Sequence, residues 1–592
     1  MKTFFTFLAI SCLGFSLTAQ EIKITGTVTN AETGIALAGV NIVEKGTSNG
    51  TQTNFDGNYK ITAQIGNILS FNYIGYQEVK IKVTPDQKII DVKMKTASPE
   101  LDQVVVTAYG ISQGYARRNY RPLPPITETE SYDRIEENSF QSVATSPLST
   151  FSIDVDKASY SNIRRMINHG QKIPKDAVKV EEMINYFHYD YPDPNGKHPF
   201  SITTEIAESP WNAHTKLVRI GLKGKKVSVE NAPASNLVFL IDVSGSMQPP
   251  NRLPLLQSAF KVLVEQLREK DQVSIVVYAG SAGLVLEPTS GANKEKIYKA
   301  IDNLRAGGST AGGAGINLAY KIAEENFIEG GNNRVVLATD GDFNVGMSSN
   351  RSMEELITEK RESGVFLTCL GVGMGNYRDS KIETLADKGN GNHYYIDTMQ
   401  EAQRVLGTEF FGTIYTIAKD VKIQVEFNPE KVQAYRLIGY ENRMLEDEDF
   451  KNDKKDAGEL GSGHNVTAFY EIIPTGVESK YMKDIPDLKY TQTKSTGNSE
   501  EILTVKFRYK DPEGEKSKLI VKTVRDSNKP IEKASADFKF AAAVALFGMQ
   551  LRDSEFISTD DTSDVIALAE AGRGEDEAGY RSEFIRLVGI HN

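Results

Sequence analysis

The stretch Leu237-Val-Phe-Leu-Ile-Asp-Val-Ser-Gly-Ser246 decides the fold of the central part of this 592-residue chain. Its first five residues are apolar, as in a buried strand, and small polar residues follow from Asp242 onward. Three further runs are strand-like: Val273–Tyr278, Val335–Ala338 and Val365–Leu370. Helical patterns lie around and between these runs, at 253–267, 295–304, 315–326 and 353–362. Strands that alternate with helices predict an α/β domain with a doubly wound parallel sheet.

Polar motifs stand where the loops at one edge of this sheet are expected. Asp242-Val-Ser-Gly-Ser246 ends the first strand, and Ala338-Thr-Asp-Gly341 ends a later one. Gly307-Gly-Ser-Thr310 lies in a loop before a helix. Ligand sites of doubly wound sheets lie at the carboxyl ends of the strands. We therefore expect five side chains to converge on one point: Asp242, Ser244, Ser246, Thr310 and Asp340.

The chemistry of this set indicates a hard divalent cation. All five side chains offer oxygen, the ligand that Mg²⁺ prefers, and Mg²⁺ usually keeps several waters. Mn²⁺ and Ca²⁺ stay open as alternatives. Three of the donors are neutral hydroxyls, so the bound dication keeps part of its charge. An open coordination position would then favour an incoming carboxylate.

The three motifs together resemble the metal-ion-dependent adhesion site of von Willebrand factor type A domains. The resemblance implies that Ser244, Ser246 and Thr310 bind the metal directly. It implies that Asp242 and Asp340 act directly or through water. The sixth position would take an acidic residue of a protein partner. Asp342, just beyond the third motif, is interpreted as a turn residue.

Residues 1–20 are typical of a signal peptide. Lys2 supplies the positive start, and Phe4–Leu17 is an apolar run of the right length. We therefore expect export to the periplasm, the outer membrane or the cell surface, and outer-membrane or envelope proteins as candidate partners. Lipidation of Cys12 is the alternative. After cleavage one cysteine, Cys369, remains, so no intramolecular disulfide is expected, and no later apolar run is long enough to span a bilayer.

Residues 21–96 alternate apolar and polar positions and predict a β-sandwich of about seven short strands. Ile24-Thr-Gly-Thr-Val-Thr29 and Thr53-Asn-Phe-Asp-Gly-Asn-Tyr59 resemble the marks of the carboxypeptidase regulatory-like domain. Residues 97–140 are interpreted as a linker. Within it, Leu101–Gly110 resembles the segment that follows the same module in TonB-dependent receptors, and an edge-pairing strand is the alternative.

The regions on either side of the α/β domain (233–408) resemble the flanking regions of a group of bacterial von Willebrand A proteins. The first region, 141–232, contains Phe151-Ser-Ile-Asp-Val-Asp156 and Ser209-Pro-Trp-Asn212. The second, 409–592, contains Leu437-Ile-Gly-Tyr-Glu-Asn-Arg443. Strands near 200–222 and strands after 409 share the same alternation. We therefore expect them to form one sandwich, with the α/β domain inserted between its halves.

Composition and motifs argue against nucleic-acid binding and catalysis. The formal net charge is −11, whereas a nucleic-acid-binding protein would present a basic face. Asp154-Val-Asp156 imitates a phosphatase motif but lacks its downstream pattern, and the chain lacks a Gly-x-Ser-x-Gly elbow. His464 is interpreted as a loop hydrogen-bonding residue. The sequence predicts a non-enzymatic, exported protein-binding or adhesion-type protein, with two alternatives: a structural envelope protein with a fold-stabilising metal, and a hydrolase.

Overall fold

The computed structural model describes residues 21–591, except 32–33, 35, 38–39, 46, 48, 54–56, 73–76, 96–129, 154–155, 229, 231, 309–311, 342–349, 456, 483–499 and 559–560. Thr310 and Asp342, like the signal peptide and most of the expected linker, lie outside the described residues. The chain divides into two compact units. The first contains Met1–Arg118 and Ser281–Val285, and the second contains Asn119–Gly280 and Leu286–Asn592.

The described part of residues 21–95 contains seven strands in two sheets. They are β1 (Glu21–Asn30), β2 (Asn41–Glu44), β3 (Gly50–Gln52), β4 (Asn58–Gln64), β5 (Ile68–Asn72), β6 (Val79–Lys82) and β7 (Val92–Met94). The sheet orders are β4-β1-β7 and β3-β2-β5-β6. Along β4, buried and exposed residues alternate, and Ile24, Ile42 and Phe71 from both sheets share one core. The prediction of about seven short strands is confirmed.

The region before the α/β domain mixes strands and helices. The elements are β8 (Gln141–Ser142), β9 (Leu148–Ser152), α1 (Ala158–Asn168), α2 (Val180–Tyr186), β10 (Phe200–Glu208) and β11 (Lys216–Gly224). A 3₁₀ turn at Lys175–Ala177 connects the two helices. Nearly every residue of α1 and α2 is buried, so both helices lie inside the second unit.

The α/β domain is built on a six-stranded sheet. Its strands are β12 (Ser235–Asp242), β13 (Gln272–Tyr278), β14 (Ala282–Ser290), β15 (Asn332–Thr339), β16 (Phe366–Gly371) and β17 (His393–Tyr395). Its helices are α3 (Leu253–Gln266), α4 (Lys294–Asp302), α5 (Gly312–Glu325), α6 (Asn350–Arg361), α7 (Asp379–Lys388), α8 (Met399–Ala402) and α9 (Phe410–Ile414), with a 3₁₀ turn at Gly245–Met247 and a π-helical segment at Gln403–Glu409.

The strand order of this sheet is β14-β13-β12-β15-β16-β17. The pairs β12–β13, β12–β15, β15–β16 and β16–β17 are all parallel. Every residue of β12 and β15 is buried, as expected of central parallel strands covered on both faces. The predicted doubly wound α/β fold is confirmed, and Cys369 lies buried on β16.

The C-terminal region returns to strands and ends in helices. The strands are β18 (Thr416–Phe427), β19 (Val432–Ile438), β20 (Met444–Leu445), β21 (Gly458–Gly461), β22 (Asn465–Pro474), β23 (Glu501–Lys510) and β24 (Lys518–Arg525). The helices are α10 (Ala536–Leu551), α11 (Thr562–Gly572) and α12 (Tyr580–His591), with 3₁₀ turns at Glu441–Arg443, Asp447–Lys451 and Ile531–Lys533.

Strands from both flanking regions form one sandwich. One sheet has the order β10-β11-β22-β19-β8, and the other has β20-β9-β18-β23-β24 with β21 added to β18. β11 pairs antiparallel with β22, which places Ile220 opposite Ala468 across a gap of more than 200 residues in the sequence. Apolar residues of both sheets, including Tyr470 and Phe507, share one core. The sequence hypothesis that these distant strands pair is confirmed.

Helix α10 is the centre of a separate helical core. Ten of its residues between Phe538 and Met549 are apolar and buried, and they share a core with α1, α2, α11 and α12. The interpretation of this apolar run as a core helix is correct. In the part of the chain that the structure describes, no helix has the length and apolarity needed to cross a membrane.

The last residues of the expected linker are packed rather than extended in solvent. Glu130 accepts hydrogen bonds from Arg165 at 2.9 Å and from the backbone N–H of Gly375 at 2.7 Å. The N–H of Ser131 donates to the carbonyl of Tyr377, and the ring of Phe140 is buried. The linker interpretation is therefore corrected for 130–140, because a charged pair and a buried ring fix this segment to the second unit.

Candidate metal centre

Two buried carboxylates meet at the carboxyl edge of the central sheet. Asp242 is the last residue of β12, and Asp340 directly follows the end of β15. These strands are neighbours, and their parallel register pairs Ile241 with Ala338. Asp242 and Asp340 are both fully buried. The parallel topology therefore brings the two acidic residues of the predicted site to one edge, as the sequence motifs suggested.

The loop after β12 adds two hydroxyl groups. The N–H of Ser244 donates to Asp242 Oδ1 at 2.8 Å, which turns the chain back over the strand end. The hydroxyl oxygens of Ser244 and Ser246 then lie 3.0 Å apart. Four of the five predicted ligands therefore come from the same two neighbouring strand ends. The fifth, Thr310, is outside the described residues, and its role stays a prediction.

The loop that leads to Thr310 is nevertheless held against the site. The N–H of Gly245 donates to the carbonyl of Gly308 at 3.0 Å, and the N–H of Gly307 donates to the carbonyl of Val243 at 2.7 Å. Gly308 has a φ of +89°, which a residue with a Cβ rarely adopts. The glycine pair therefore lets this loop run beside the serine loop.

Hydrogen bonds fix the Asp242 carboxylate on both sides. Thr339 donates from its hydroxyl to Asp242 Oδ2 at 3.3 Å and accepts from the N–H of Gly341 at 3.2 Å. Burial raises the pKa of Asp242 to about 6, and the bond from Ser244 opposes that rise, while the charge of Asp340 adds to it. Hydrogen bonds hold the Asp242 carboxylate in place, but its negative charge is only partly compensated within the chain, which is typical of metal-binding carboxylates.

Sequence reasoning missed Arg252, the basic residue of this site. Its guanidinium forms an ion pair with Asp340 Oδ2 and donates to the carbonyls of Ser246 at 2.8 Å and Met374 at 2.9 Å. It also donates to Asn376 Oδ1 at 2.9 Å. Three loops of the sheet edge meet on this one side chain. The sequence showed only that a basic residue lies in the loop between β12 and α3.

The residues fit a divalent cation of the hard class. The described donors are two carboxylates and two hydroxyls, all oxygen, and one guanidinium balances one of the two negative charges. A dication would offset the remaining charge and the repulsion between Asp242 and Asp340. Oxygen donors and incomplete charge compensation are the properties that Mg²⁺, Mn²⁺ and Ca²⁺ sites share.

A second buried carboxylate group lies elsewhere. Asp156, Glu182 and Glu383 each place an oxygen within 4.8 Å of the others. Lys179 already lies among these acids, with its ammonium 2.7 Å from Glu383 Oε2 and 3.3 Å from Glu182 Oε1. The N–H of His393 donates to Asp156 at 2.7 Å. The phosphatase-like Asp156 itself pairs with the Arg443 guanidinium at 3.3 Å, so all three acids belong to a network of ion pairs.

Family models match almost the whole chain. The von Willebrand factor type A domain matches 236–407, and a second von Willebrand factor model matches 126–219. The CarboxypepD_reg-like domain matches 24–106, and the YfbK C-terminal model matches 412–592. The models therefore cover the N-terminal sandwich, the α/β domain and both of its flanks.

Relatives agree with these matches. Uncharacterized protein YfbK of Escherichia coli (strain K12) is 45% identical over 470 residues, which cover 78% of this chain and 80% of YfbK. TonB-dependent receptor P3 of Formosa agariphila is 44% identical over 105 residues, but these cover 18% of this chain and 10% of the receptor. The likeness to the receptor is therefore confined to a small part of its length.

Solved structures of von Willebrand A proteins are also similar in part. One from Catenulispora acidiphila aligns with 65% of this chain and 89% of its own at 17% identity, with a TM-score of 0.35. Proximal thread matrix protein 1 from the mussel byssus, with a zinc-occupied MIDAS motif, aligns with 30% of this chain and 44% of its own at 24% identity, with a TM-score of 0.25. On the strength of the sequence matches, the chain belongs to the family of von Willebrand factor type A domain proteins that includes Escherichia coli YfbK, with a carboxypeptidase regulatory-like domain at its N-terminal side.

Proposed function

We propose that this protein is an exported binding protein that holds one divalent cation in its von Willebrand A domain and uses it to bind a carboxylate of a protein partner. One observation carries the proposal: Asp242, Ser244, Ser246 and Asp340 lie together at the carboxyl edge of the sheet. Thr310 is proposed as the fifth ligand. The oxygen donors favour Mg²⁺, with Mn²⁺ and Ca²⁺ as alternatives.

The charge of the site supports carboxylate binding. Arg252 offsets the charge of Asp340, so a bound dication would meet fewer uncompensated negative charges than the two aspartates alone would supply. Two further donors, Ser244 and Ser246, are neutral. The metal would therefore keep electrophilic character, and a carboxylate from the partner would be attracted to an open coordination position.

Binding rather than catalysis is proposed because of the side chains at this edge. The hydrogen bonds to Asp242 and Asp340 come from hydroxyl, amide and guanidinium groups, which hold the two carboxylates in place at the sheet edge. Export to the periplasm or the outer membrane and cell surface is proposed from the signal-peptide pattern of residues 1–20.

A structural role for the metal is the second candidate. The site connects three loops, since Gly307 and Gly308 bond to the serine loop and Arg252 bonds to Met374. A cation placed there would cross-link these loops and stabilise the fold without a partner. The two candidates differ in whether partner binding depends on the metal.

The test is a pull-down of partners from a native envelope extract. The full chain would be compared with Mg²⁺, with EDTA, and as the Asp242→Ala variant with Mg²⁺, with folding checked by circular dichroism. Asp302→Ala is the matched control, because Asp302 is an exposed aspartate on α4 that pairs with Lys261. Its partners should equal those of the wild type.

A partner retained only by metal-loaded wild type and the control would support metal-bridged recognition. The same partners in all samples, with a lower melting temperature in EDTA, would reject the binding role of the metal and favour the structural one. Cross-linking and mass spectrometry of a retained partner should locate an Asp or Glu of that partner beside the Ser244 loop.

A further inference from the structure

A cleft lies at the opposite edge of the α/β domain, where this domain meets the sandwich. Its volume is about 340 Å³. The central strand β15 runs from one site to the other, since Arg334 near its start lines the cleft and Asp340 follows its end. Six residues of extended strand span roughly 20 Å, so the cleft is separate from the metal centre.

Arg334 is the most unusual residue of this cleft. Its side chain is almost fully buried, at 2% exposure. One guanidinium nitrogen donates to the hydroxyl of Thr368 at 2.7 Å, and the group lies 5.5 Å from the ring centre of Phe366. Within the described residues, its Nε has no hydrogen-bond partner and no carboxylate forms an ion pair with it.

A buried guanidinium without a counter-ion is costly, because a charge removed from water costs several kcal/mol unless it is paired. Burial accordingly lowers the pKa of Arg334, and the charge of Glu459, which lines the same cleft, opposes this shift without forming an ion pair. The Thr368 hydroxyl and the Phe366 ring supply partial compensation. Among the described residues, the guanidinium therefore lacks a directly paired negative group.

The rest of the lining also favours an anion. Four basic side chains line the cleft against two acidic ones: Arg334, Arg361, Lys388 and Arg443 against Asp387 and Glu459. Arg443 is already paired with Asp387 at 2.8 Å and with Asp156 at 3.3 Å, so it adds little net positive charge to the cleft. Lys388 is exposed at the end of α7, which leaves its ammonium available to a ligand.

His464 contributes a second unsatisfied polar group. Its Nε2 is buried without a hydrogen-bond partner in the described structure, although the sequence suggested a loop hydrogen-bonding role. Burial is the main cause that lowers its pKa to about 3, so the ring is neutral near pH 7. A neutral imidazole can donate one hydrogen bond, and a ligand in the cleft would provide the acceptor.

We propose that this cleft binds a small oxyanion, either free or as the phosphate or carboxylate group of a small ligand, with Arg334 as its principal charge partner. A planar guanidinium suits oxyanions because it can donate two parallel hydrogen bonds. The volume lies at the lower end of the range of small-ligand pockets, about 300–1,000 Å³. The site lies at the junction of the α/β domain and the sandwich, so its occupancy would strengthen that junction.

The test is calorimetric titration of the full chain with inorganic phosphate and, separately, with succinate, in metal-free chloride buffer. The protein is first stripped of metal with EDTA and then dialysed free of EDTA, because EDTA is itself a polycarboxylate that could occupy the cleft. We expect saturable binding of at least one probe by the wild type. The Arg334→Gln variant should bind at least about tenfold more weakly, because the amide retains a donor for Thr368 but not the charge.

Two other variants keep the test decisive if Arg334→Gln folds poorly. Lys388→Gln removes an exposed charge of the lining and should weaken binding about two- to fivefold. Lys296→Gln is the matched control, because Lys296 is an exposed lysine on α4 that does not line the cleft. Its affinity should equal that of the wild type.

Two results would overturn the proposal. One is the absence of saturable binding of both probes to the wild type. The other is equal affinity in the wild type, Arg334→Gln and Lys388→Gln. Binding of phosphate but not succinate would support a phosphate-class ligand, and binding of succinate alone would support a carboxylate-class ligand.

Discussion

The two ends of strand β15 carry opposite charges in opposite situations. Asp340, after the carboxyl end, is fully buried and is paired with Arg252 and hydrogen-bonded by Asn376 at 3.4 Å. Arg334, near the amino end, is equally buried but has only the Thr368 hydroxyl and the Phe366 ring. The charge of Asp340 is balanced within the chain, and a second carboxylate, Asp242, lies in the same site. The charge of Arg334 has no acidic partner among the described residues.

This difference shows what each end requires. At the carboxyl edge, two carboxylates face one guanidinium, so the imbalance is negative and a cation would correct it. At the amino edge, the imbalance is positive and an anion would correct it. Buried charges are tolerated when they are paired, so each end indicates the charge of its own ligand.

The largest expected effect comes from removing the carboxylate that anchors the metal site. We expect Asp242→Ala to lower Mg²⁺ affinity by at least about 100-fold, since loss of even supporting groups around a metal costs about 10–100-fold. Calorimetric titration with Mg²⁺ and Mn²⁺ measures this directly. Asp302→Ala should behave as the wild type. An unchanged affinity in Asp242→Ala would place the metal elsewhere.

Metal binding should also stabilise the folded protein. At a Mg²⁺ concentration of about 100 times Kd, the gain is about 2.7 kcal/mol. For a domain of 150–250 residues this raises the melting temperature by about 5–11 °C. Differential scanning calorimetry with Mg²⁺ and with EDTA checks the value. Asp242→Ala should show no such difference, and a shift that persists in this variant would contradict the assignment.

The same stabilisation should depend on pH, because the proton and the metal compete for Asp242. The folded-state pKa of Asp242 is raised to about 6, so the proton favours the folded state. The metal-free protein therefore loses this contribution to stability as the pH rises from about 4 through 6. Mg²⁺ replaces it above pH 6. The melting-temperature gain from Mg²⁺ should thus be larger at pH 7.5 than at pH 5, and Asp242→Asn should remove the trend.

A smaller effect is expected from Arg252. Its positive charge lies beside the metal position, so Arg252→Gln should raise Mg²⁺ affinity by about tenfold. In EDTA the same variant should lose about 1–3 kcal/mol of stability, because Asp340 loses its buried partner. Titration and denaturant unfolding give the two values. A fall in metal affinity would instead mean that Arg252 positions Asp340 for the metal.

The sequence was most informative where function and fold depend on local patterns. The residues Asp242, Ser244, Ser246 and Asp340 follow strands that the apolar runs mark clearly, and parallel topology alone brings their ends together. The pairing of β11 with β22 was expected from matching alternation, since both strands have one buried face in the same core.

Local patterns could not predict contacts that depend on tertiary packing. Arg252 contacts Asp340 because the loop at Met374 and Asn376 holds its guanidinium, and no local spacing of residues predicts that arrangement. Arg334 and His464 line one cleft although 130 positions separate them, because the sandwich packs against the α/β domain. The ordered end of the linker at Glu130 likewise results from its pairing with Arg165.

The smallest expected loss of stability is also the one that tests the amino end of β15. If Arg334 lacks an internal counter-ion, its buried charge destabilises the anion-free protein. Arg334→Gln should then not lower the free energy of unfolding in chloride buffer, whereas breaking a genuine buried ion pair costs about 3–5 kcal/mol. Urea unfolding measures this change, with Arg436→Gln as a contrast, because Arg436 is buried and paired with Glu471 at 2.9 Å. Comparable losses in both variants would show that Arg334 has its negative partner within the chain, and the two ends of β15 would then be alike.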